Sequence, residues 1–589
     1  MEKIRKTRAR IMLDYMPPEI KARARVVPNS GAPFSRPEQI FNGVSCASGE
    51  IATFAGDVAR GFTWRLDGSH MLPVTARDTE IEIGAVSLNL STANGQFNSS
   101  HILWITIDFP EPINVPQVVV FTNDDAAIIR VEMFDAIRMA RNEIVRRDAD
   151  SNEPFVSSWG GENIIRARVG VTHTKTGLRH GQILEVMFGR MLILDDADIF
   201  SLSAISEADP LGGALPANSL RLRFANKGRF NHRPGDFADG LARRQLIEYQ
   251  HGHDIDGKTI WRNCGVFHLE RFAVNENDVE IVAIGAAHSL DNMTFYESAL
   301  PTATWGQIIN RVADNGGYRV AFPAPLGAAV RISPFFGNVS HRRALAMLAQ
   351  LGCCMLTENR QGVWEMVDIL NNTARDAREI GFDAMFAPPD ISRGDYYNGI
   401  TLREYTHTIQ PPGRIATSRV QNSGTQSITV RFNRPYIDTG AISVSPGFSV
   451  SNVQWHTMYV VFNLTGNGQC DIDINGRAAT FAHQDNFYRA PWMGANEREH
   501  GYFVDIPLMI ANVDGHYPAF RNWFLGRKFE LIRRRFRIRA NWRQNPDLVI
   551  GDEIEMQTAH DGKSRIGHII RQEINYDGGV LSGNTEIFG

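Results

Sequence analysis

Leu220-Arg221-Leu222-Arg223-Phe224 alternates apolar and basic side chains with a period of two. That spacing puts Leu220, Leu222 and Phe224 on one face of a strand and both arginines on the other. Asn226-Lys227-Gly228 follows as a turn signal. Working outward, Leu103-Trp104-Ile105-Thr106-Ile107-Asp108-Phe109 repeats the pattern, and further strands read at Val118–Thr122, Glu280–Ile284, Ser427–Phe432, Met458–Phe462 and Phe536–Ile538. They are short, frequent and separated by Gly, Asn, Asp and Pro clusters, the rhythm of sandwiches and barrels rather than βαβ units.

Helices are few. Thr304 is placed to cap one with Trp305, Ile308, Ile309, Val312 and Ala313 on a single face, closed by Gly316-Gly317. Ser340 caps a second, with Leu345, Leu348 and Leu351 inward and Gly352 at its end. A hairpin follows through Cys353–Thr357, a turn at Asn359–Gly362 and Val363–Val367, and a third helix is expected around Ala519–Leu525. Pro388-Pro389 and Pro411-Pro412-Gly413 are the clearest junctions. The fold class is therefore mainly β and multidomain, with one small α/β module.

A chain of 589 residues exceeds one hydrophobic core, and roughly three to five domains are expected. A net charge of −4 argues against whole-chain nucleic-acid binding. Five scattered cysteines (Cys46, Cys264, Cys353, Cys354, Cys470) do not form a disulfide framework, which fits assembly in a reducing cytoplasm. No apolar run reaches membrane-span length, and the charged N-terminus has no secretory apolar region.

The sequence contains no nucleophile elbow, phosphate loop or zinc-protease helix. Asp471-Ile472-Asp473-Ile474-Asn475-Gly476 starts like a calcium loop, but its twelfth position is Ala482 instead of a bidentate Glu. The preferred reading has Cys470, Ile472 and Ile474 inward and Asn475-Gly476 as a hairpin turn. His251-Gly252-His253-Asp254-Ile255-Asp256 is similar to a metallo-hydrolase motif but lacks its last His, and reads as a polar surface hairpin loop. Arg535-Phe536-Arg537-Ile538-Arg539 could serve phosphates, though a half-buried strand with a salt-bridged Arg face is preferred. The basic lead-in (Lys3, Arg5, Lys6, Arg8, Arg10) would contact an acidic neighbour or be solvated. Vicinal Cys353-Cys354 reads as a packed strand start. Trp64 and Trp104 could stack on sugars, but most Trp residues should be core. No catalytic, cofactor-binding or metal residue is assigned, and carbohydrate-binding residues stay open.

Three stretches, in their shared order, resemble the tail-tip baseplate hub proteins of siphophages and related prophages. Gly61–Ser69, Gly84-Ala85-Val86-Ser87, Asn94-Gly95-Gln96-Phe97 and Ile105–Phe109 are similar to an inserted discoidin-like, galactose-binding-fold domain. Ile164–Val171 and Gln182–Gly189 look like its closing strand pair. Leu215–Asn226, Gly228-Arg229-Phe230-Asn231, Cys264–Leu269 and Ile281–Leu290 resemble the first tube-like barrel of the hub, with Ala287 a mild departure where the family has Asp nearby. Asn541–Ile554, Tyr576-Asp577-Gly578-Gly579 and Leu581-Ser582-Gly583 look like the C-terminal barrel, preceded by a short docking helix near Asn522-Trp523.

The resemblance implies residues 1–34 as lead-in to the first barrel, 35–192 as the inserted sandwich and 193–300 as the first tube-like β-barrel. It then implies an α/β hub module at 301–395, a β-rich segment with a small inserted β domain at 396–498 and the second barrel at 499–589. It further implies a non-enzymatic homotrimer in the virion tail tip, assembled in the host bacterial cytoplasm and needing no cofactor. Its expected partners are the distal tail protein and tail tube, the tape-measure protein and peripheral fibre or receptor-binding proteins. A host surface glycan is a further possible partner, and DNA would touch it only in transit. Lysis or fibre functions would belong to another chain. The alternative is a carbohydrate-binding adhesin acting through the 35–192 sandwich; a glycan-active enzyme would need paired carboxylates that the sequence does not single out.

Overall fold

A computed structural model describes residues 7–14, 24–28 and 85–589, apart from 88, 116, 123–125, 148–153, 159, 228–244, 256–257, 297–302, 330, 333–337, 361, 372–377, 457, 511–516, 559–562 and 578–579. The chain is mainly β and multidomain. Gly61–Ser69, Trp64, Cys46 and Gly228–Asn231 lie outside the described residues.

The N-terminal strands form a sandwich and run from it into a larger sheet. They are β1 (Thr7–Asp14), β2 (Arg25–Pro28), β3 (Leu103–Val115), β4 (Val118–Thr122), β5 (Ala126–Phe134), β6 (Met139–Arg146), β7 (Gly161–Thr174) and β8 (Gln182–Asp195). One sheet has the order β2-β3-β7-β5-β6, and β4 and β8 pair in the facing sheet. Leu103, Ile105, Ile107 and Phe109 face inward, as their alternation predicts, and meet Val120, Val186 and Phe188 of the facing sheet in one core. β2, within the lead-in segment, pairs with β3 inside this sandwich. The expected closing pair of strands is not a pair: β7 bonds to β3 and β5, while β8 bonds to β4 on the opposite sheet. Both strands are apolar on one side, so each can serve as an inner face, and alternation alone does not reveal which sheet it joins. β8 is long enough to leave the sandwich and pair with β1, from Asp14↔Gly189 to Arg8↔Asp195.

That second half of β8 belongs to a sixteen-stranded sheet, hereafter the wall. It includes β9 (Ile199–Glu207), β10 (Ser219–Ala225), β11 (Leu246–Ile255), β12 (Lys258–Val274) and β13 (Asp278–Ile284). Between these strands and the rest of the wall lies a helical module. It contains α1 (Ala287–Asp291), α2 (Trp305–Gly316), α3 (Ala324–Ala329), α4 (His341–Gly352) and the hairpin β14 (Met355–Glu358) and β15 (Trp364–Val367). The local signals act as read. Thr304 and Gln307 form a reciprocal capping box on α2, and Gly317 ends it in the left-handed conformation at φ +69°. Ser340 accepts from the Arg343 amide at 3.2 Å to cap α4. The left-handed residue after α4 is Cys353 at φ +54°, not Gly352. Gly352 is small for a different reason: a Cβ there would run into the Trp305 ring.

The chain then adds β16 (Asp390–Arg393), β17 (Gly399–Ile409), β18 (Gly413–Asn422), β19 (Thr425–Arg431), β20 (Tyr436–Val444), β21 (Ser449–Trp455), β22 (Tyr459–Thr465), β23 (Gly468–Arg489) and β24 (Gly501–Ile510). At Pro411-Pro412 the core changes, from Ile400 and Leu402 in the helical module to a second, small sandwich built by β18–β23. β23 spans both: its first half pairs with β18 and β20 and its second half with β17. Asn475-Gly476 is therefore not a turn. Asn475 pairs with Arg414 on one side and Ala441 on the other, and ladders on both sides outweigh a local turn preference.

The last elements are α5 (Tyr517–Arg533), β25 (Phe536–Trp542), β26 (Glu553–Gln557), β27 (Ser564–Asp577) and β28 (Val580–Phe588). The expected short docking helix is the seventeen-residue α5. β27 pairs with β9 from Ser201↔Asp577 to Glu207↔Arg571. Through that seam, strands expected in two separate tube-like barrels (β9–β13 and β25, β27 and β28) lie on one hydrogen-bonded path, β16-β25-β28-β27-β9-β10-β13-β12-β11-β1-β8-β4, whereas β24, also expected in the second barrel, pairs with β17. Among the described residues no helix is long and apolar enough to cross a membrane.

Candidate functional site

From β25 across the seam to β12 the wall has two chemically distinct faces. On one, Leu202 and Ala204 of β9, Leu220, Leu222 and Phe224 of β10, Val279 and Ile281 of β13, and Ile574 and Tyr576 of β27 share a single core across the seam. Ile538, Ala540, Ile554, Met556, Ile569 and Ile587 continue an apolar layer beyond it. Each such side chain, fully buried, contributes ~1.5–3 kcal/mol by leaving water, so the strand register cannot slip without exposing the whole row.

The opposite face carries Arg221, Arg223, Arg537 and Arg539 of the alternating stretches, each beside a carboxylate, while Arg535 lies 5.0 Å from the Tyr396 ring. Arg221 Nε donates to Glu280 Oε1 at 2.9 Å and Arg271 Nη2 to Glu280 Oε2 at 3.1 Å. Arg223 Nε donates to Asp278 Oδ2 at 2.6 Å. At the seam the row passes through Ser201 and Ser203. Beyond it, Glu573 accepts from Asn575 at 2.9 Å and Asn584 at 3.0 Å, with Arg539 at 3.9 Å. Arg537 lies 3.4 Å from Glu586, and Arg571 lies 3.3 Å from Glu207. Burial pushes the Glu573 carboxyl up, but Asn575, Asn584, Arg571 and Arg539 outweigh it and hold the group below the usual carboxylate range.

Such a face stays hydrated and polar but presents little unbalanced charge. Phosphate affinity comes from cations that exchange their counterions for phosphates. An arginine already chelated by a carboxylate has less of that to offer. A polyanion sliding past this surface would be neither gripped nor strongly repelled.

The motifs singled out in the sequence resolve as follows. Asp471 and Asp473 point outward from β23 to Arg419 and Arg414, with Cys470, Ile472 and Ile474 inward as read. His251 is not in a surface loop: it is buried within β11, pairs with Ala9 and Arg262, and contacts the Tyr249 hydroxyl through Nδ1 at 3.1 Å. β11 has β1 and β12 on its two sides, which is what draws this polar segment inside. Among the described residues no group of three or more His, Cys, Asp or Glu is placed to hold a metal ion. Cys353 and Cys354 are free and buried, and burial pushes the Cys353 thiol up to about 11. Arg10 meets Gln250 in a buried contact and lies 4.5 Å from the Trp261 ring, so part of the basic lead-in is structural. Trp104 is buried, with the Arg168 guanidinium 4.5 Å above its ring.

Sequence reading missed a polar cluster that seats α5. Glu404 of β17 accepts from the Tyr517 hydroxyl at 2.6 Å and the Tyr488 hydroxyl at 3.0 Å, from Asn486, and from Arg521 at 3.5 Å. Its partners come from distant elements, and no spacing in the sequence announces them.

No family model matches the chain, and no curated protein does. Solved structures do. The 43 kDa tail protein of prophage MuSo2 from Shewanella oneidensis is 11% identical, with 67% of this chain and 94% of that one covered and a TM-score of 0.35. The tail protein from Neisseria meningitidis MC58 is 9% identical, covering 67% and 92%, with a TM-score of 0.38. A chain of the phage P2 baseplate in its activated conformation is 10% identical, covering 70% and 92%, with a TM-score of 0.27. At such identities, function has to be argued from this chain's own geometry.

Proposed function

We propose that this chain is a structural, non-catalytic hub subunit of a phage-type tail tip, in which copies of the wall line a passage. The observation that carries the reading is the continuous path from β25 across the seam to β12, apolar on one face and charge-balanced on the other. A sheet with this pair of faces needs its apolar side covered, here by the wall's own strands, which share one core, and can leave the other toward water. Three copies around an axis would repeat the seam-joined sheet and complete a ring, as closed symmetry favours. In this reading the ring holds tape-measure protein or DNA until host contact, the discoidin-like sandwich of β2–β8 projects outward, and distal tail and fibre proteins seat on the rim.

The test is the mass of the purified chain by light scattering, with negative-stain imaging of the same sample alone and mixed with a tail-tube protein. A ring with a central hole is expected. A chain that stays monomeric and binds no tail component would overturn the reading.

A further inference from the structure

The small sandwich of β18–β23 has two outward faces of opposite character around one core of Val430, Phe432, Phe462, Leu464 and Ile472. The sheet of β18, β20 and the first half of β23 is studded with ion pairs: Arg414 with Asp473 at 3.6 Å, Arg419 with Asp471, and Arg477 Nε with Asp438 at 2.6 Å. The sheet of β19, β22 and β21 is not. Its outward positions fall in three cross-strand rows, Thr425–Thr465–Ser449, Ser427–Asn463–Ser451 and Thr429–Val461–Gln454. None of these nine side chains ionises, in a chain where 21% of residues are charged. Most are exposed, and the Thr425 and Thr465 hydroxyls lie 3.0 Å apart.

Arg431 stands only at the border, opposite Tyr459. There the Tyr459 ring stacks on His456 with centroids 4.3 Å apart and planes 9° from parallel. Burial holds the His456 imidazole below its ordinary value, so this border adds no histidine charge at neutral pH.

The chemistry of the face selects its occupant. A polyanion would want unpaired cations, which the rows lack. A protein partner would want an aromatic and apolar centre, and the nine row positions hold only Val461, with Tyr459 at the border and Val453 in the bulge of β21. An added strand would use an edge of the sheet, the straight β19 or the bulged β21 with Asn452 at φ +52°, and would leave the rows of this face open. What remains matched is a neutral polymer rich in hydroxyls, which can donate to and accept from Ser, Thr, Asn and Gln without stripping water from a charge. Strands about 4.8 Å apart set these groups out as a repeating lattice, which suits a repeating chain. We propose that the outward face of β19–β22–β21 binds neutral polysaccharide through Ser427, Thr429, Asn463, Ser451 and Gln454, with the Tyr459 ring as a stacking surface. This site is separate from the discoidin-like sandwich and does not depend on the tail-tip reading.

The test is affinity electrophoresis of the full chain through gels holding dextran, mannan, galactan or mixed-linkage β-glucan, with polygalacturonate as the acidic comparison. At least one neutral polymer should retard the wild type, and polygalacturonate should not. Asn463→Asp and Ser427→Asp, which put a charge into the middle row, should weaken retardation at least tenfold. Gln421→Glu on the ion-paired sheet should leave it unchanged. Ser427→Asp sits at the more exposed position and carries the result if Asn463→Asp lowers the melting temperature. Free migration in all four neutral gels, retention by polygalacturonate alone, or retardation that both Asp variants leave intact would each overturn the proposal. None of these results would alter the ring expected of the hub.

Discussion

The wall and the helical module handle charge in opposite ways. Along the wall, Arg221, Arg223, Arg537 and Arg539 remain largely in water and meet carboxylates on neighbouring strands. In the core that the module shares with α5, ionisable groups are buried, as a pair or alone. Asp368 meets Arg527 at 2.5 Å, with side chains 7% and 14% exposed. Lys528 is buried and donates to the Leu211 carbonyl. Glu358 accepts from the Ala286 amide at 3.0 Å, between the end of β13 and β14. The difference teaches where specificity is stored. Exposed pairs set the character of a surface and are individually dispensable, whereas buried ones tie the module and α5 to each other and to the segments leaving the wall, and are costly to break.

The sharpest way to break the comparison is to orphan a buried charge. Asp368→Ala strands Arg527 and should cost ~3–5 kcal/mol in urea unfolding; a loss no larger than that of a wall variant would erase the distinction. Next in size is a pH effect. Burial raises the Glu358 carboxyl to about 8, against an opposing hydrogen bond from Ala286. The folded state then keeps a proton that the unfolded chain releases. Stability should therefore fall as pH rises from about 4.5 to about 8 and change no further from this group above that. Glu358→Gln should flatten that part of the profile, and parallel unfolding midpoints for both proteins across the window would refute the assignment.

A third variant probes packing. In an open helix Gly→Ala gains up to ~1 kcal/mol. Gly352→Ala in α4 should instead lose ~1–3 kcal/mol, because the new methyl meets Trp305. A higher melting temperature would show that the tryptophan yields. The smallest effect belongs to the wall: Arg221→Ala should change stability by no more than ~1 kcal/mol, less still in high salt. A larger loss would mean that the ladder is a structural clamp instead of a surface.

Legibility followed the range of the interactions. Thr304, Gln307, Gly317 and Ser340 act within one helical turn, and the sequence alone located both helices. The arginine stripes of β10 and β25 were visible as alternation, but their partners Glu280, Asp278, Glu586 and Glu573 sit on strands whose adjacency is a tertiary fact. Asn475-Gly476 misled because turn preference is local while the ladders on both sides of β23 are not. The neutral face of the small sandwich escaped notice for a related reason. Ser, Thr and Asn read as ordinary solvent positions until three strands bring them into register.

The seam between β9 and β27 also sets a timetable. Ser201–Glu207 can find Arg571–Asp577 only after the 364 positions that separate Glu207 from Arg571 have been made. Until then β9 has β10 on one flank and an open row of amides and carbonyls on the other. Pairings this distant in sequence are slow to form. That edge of β9 therefore stays open throughout the synthesis of the intervening stretch, where a chaperone or a partner strand could pair with it.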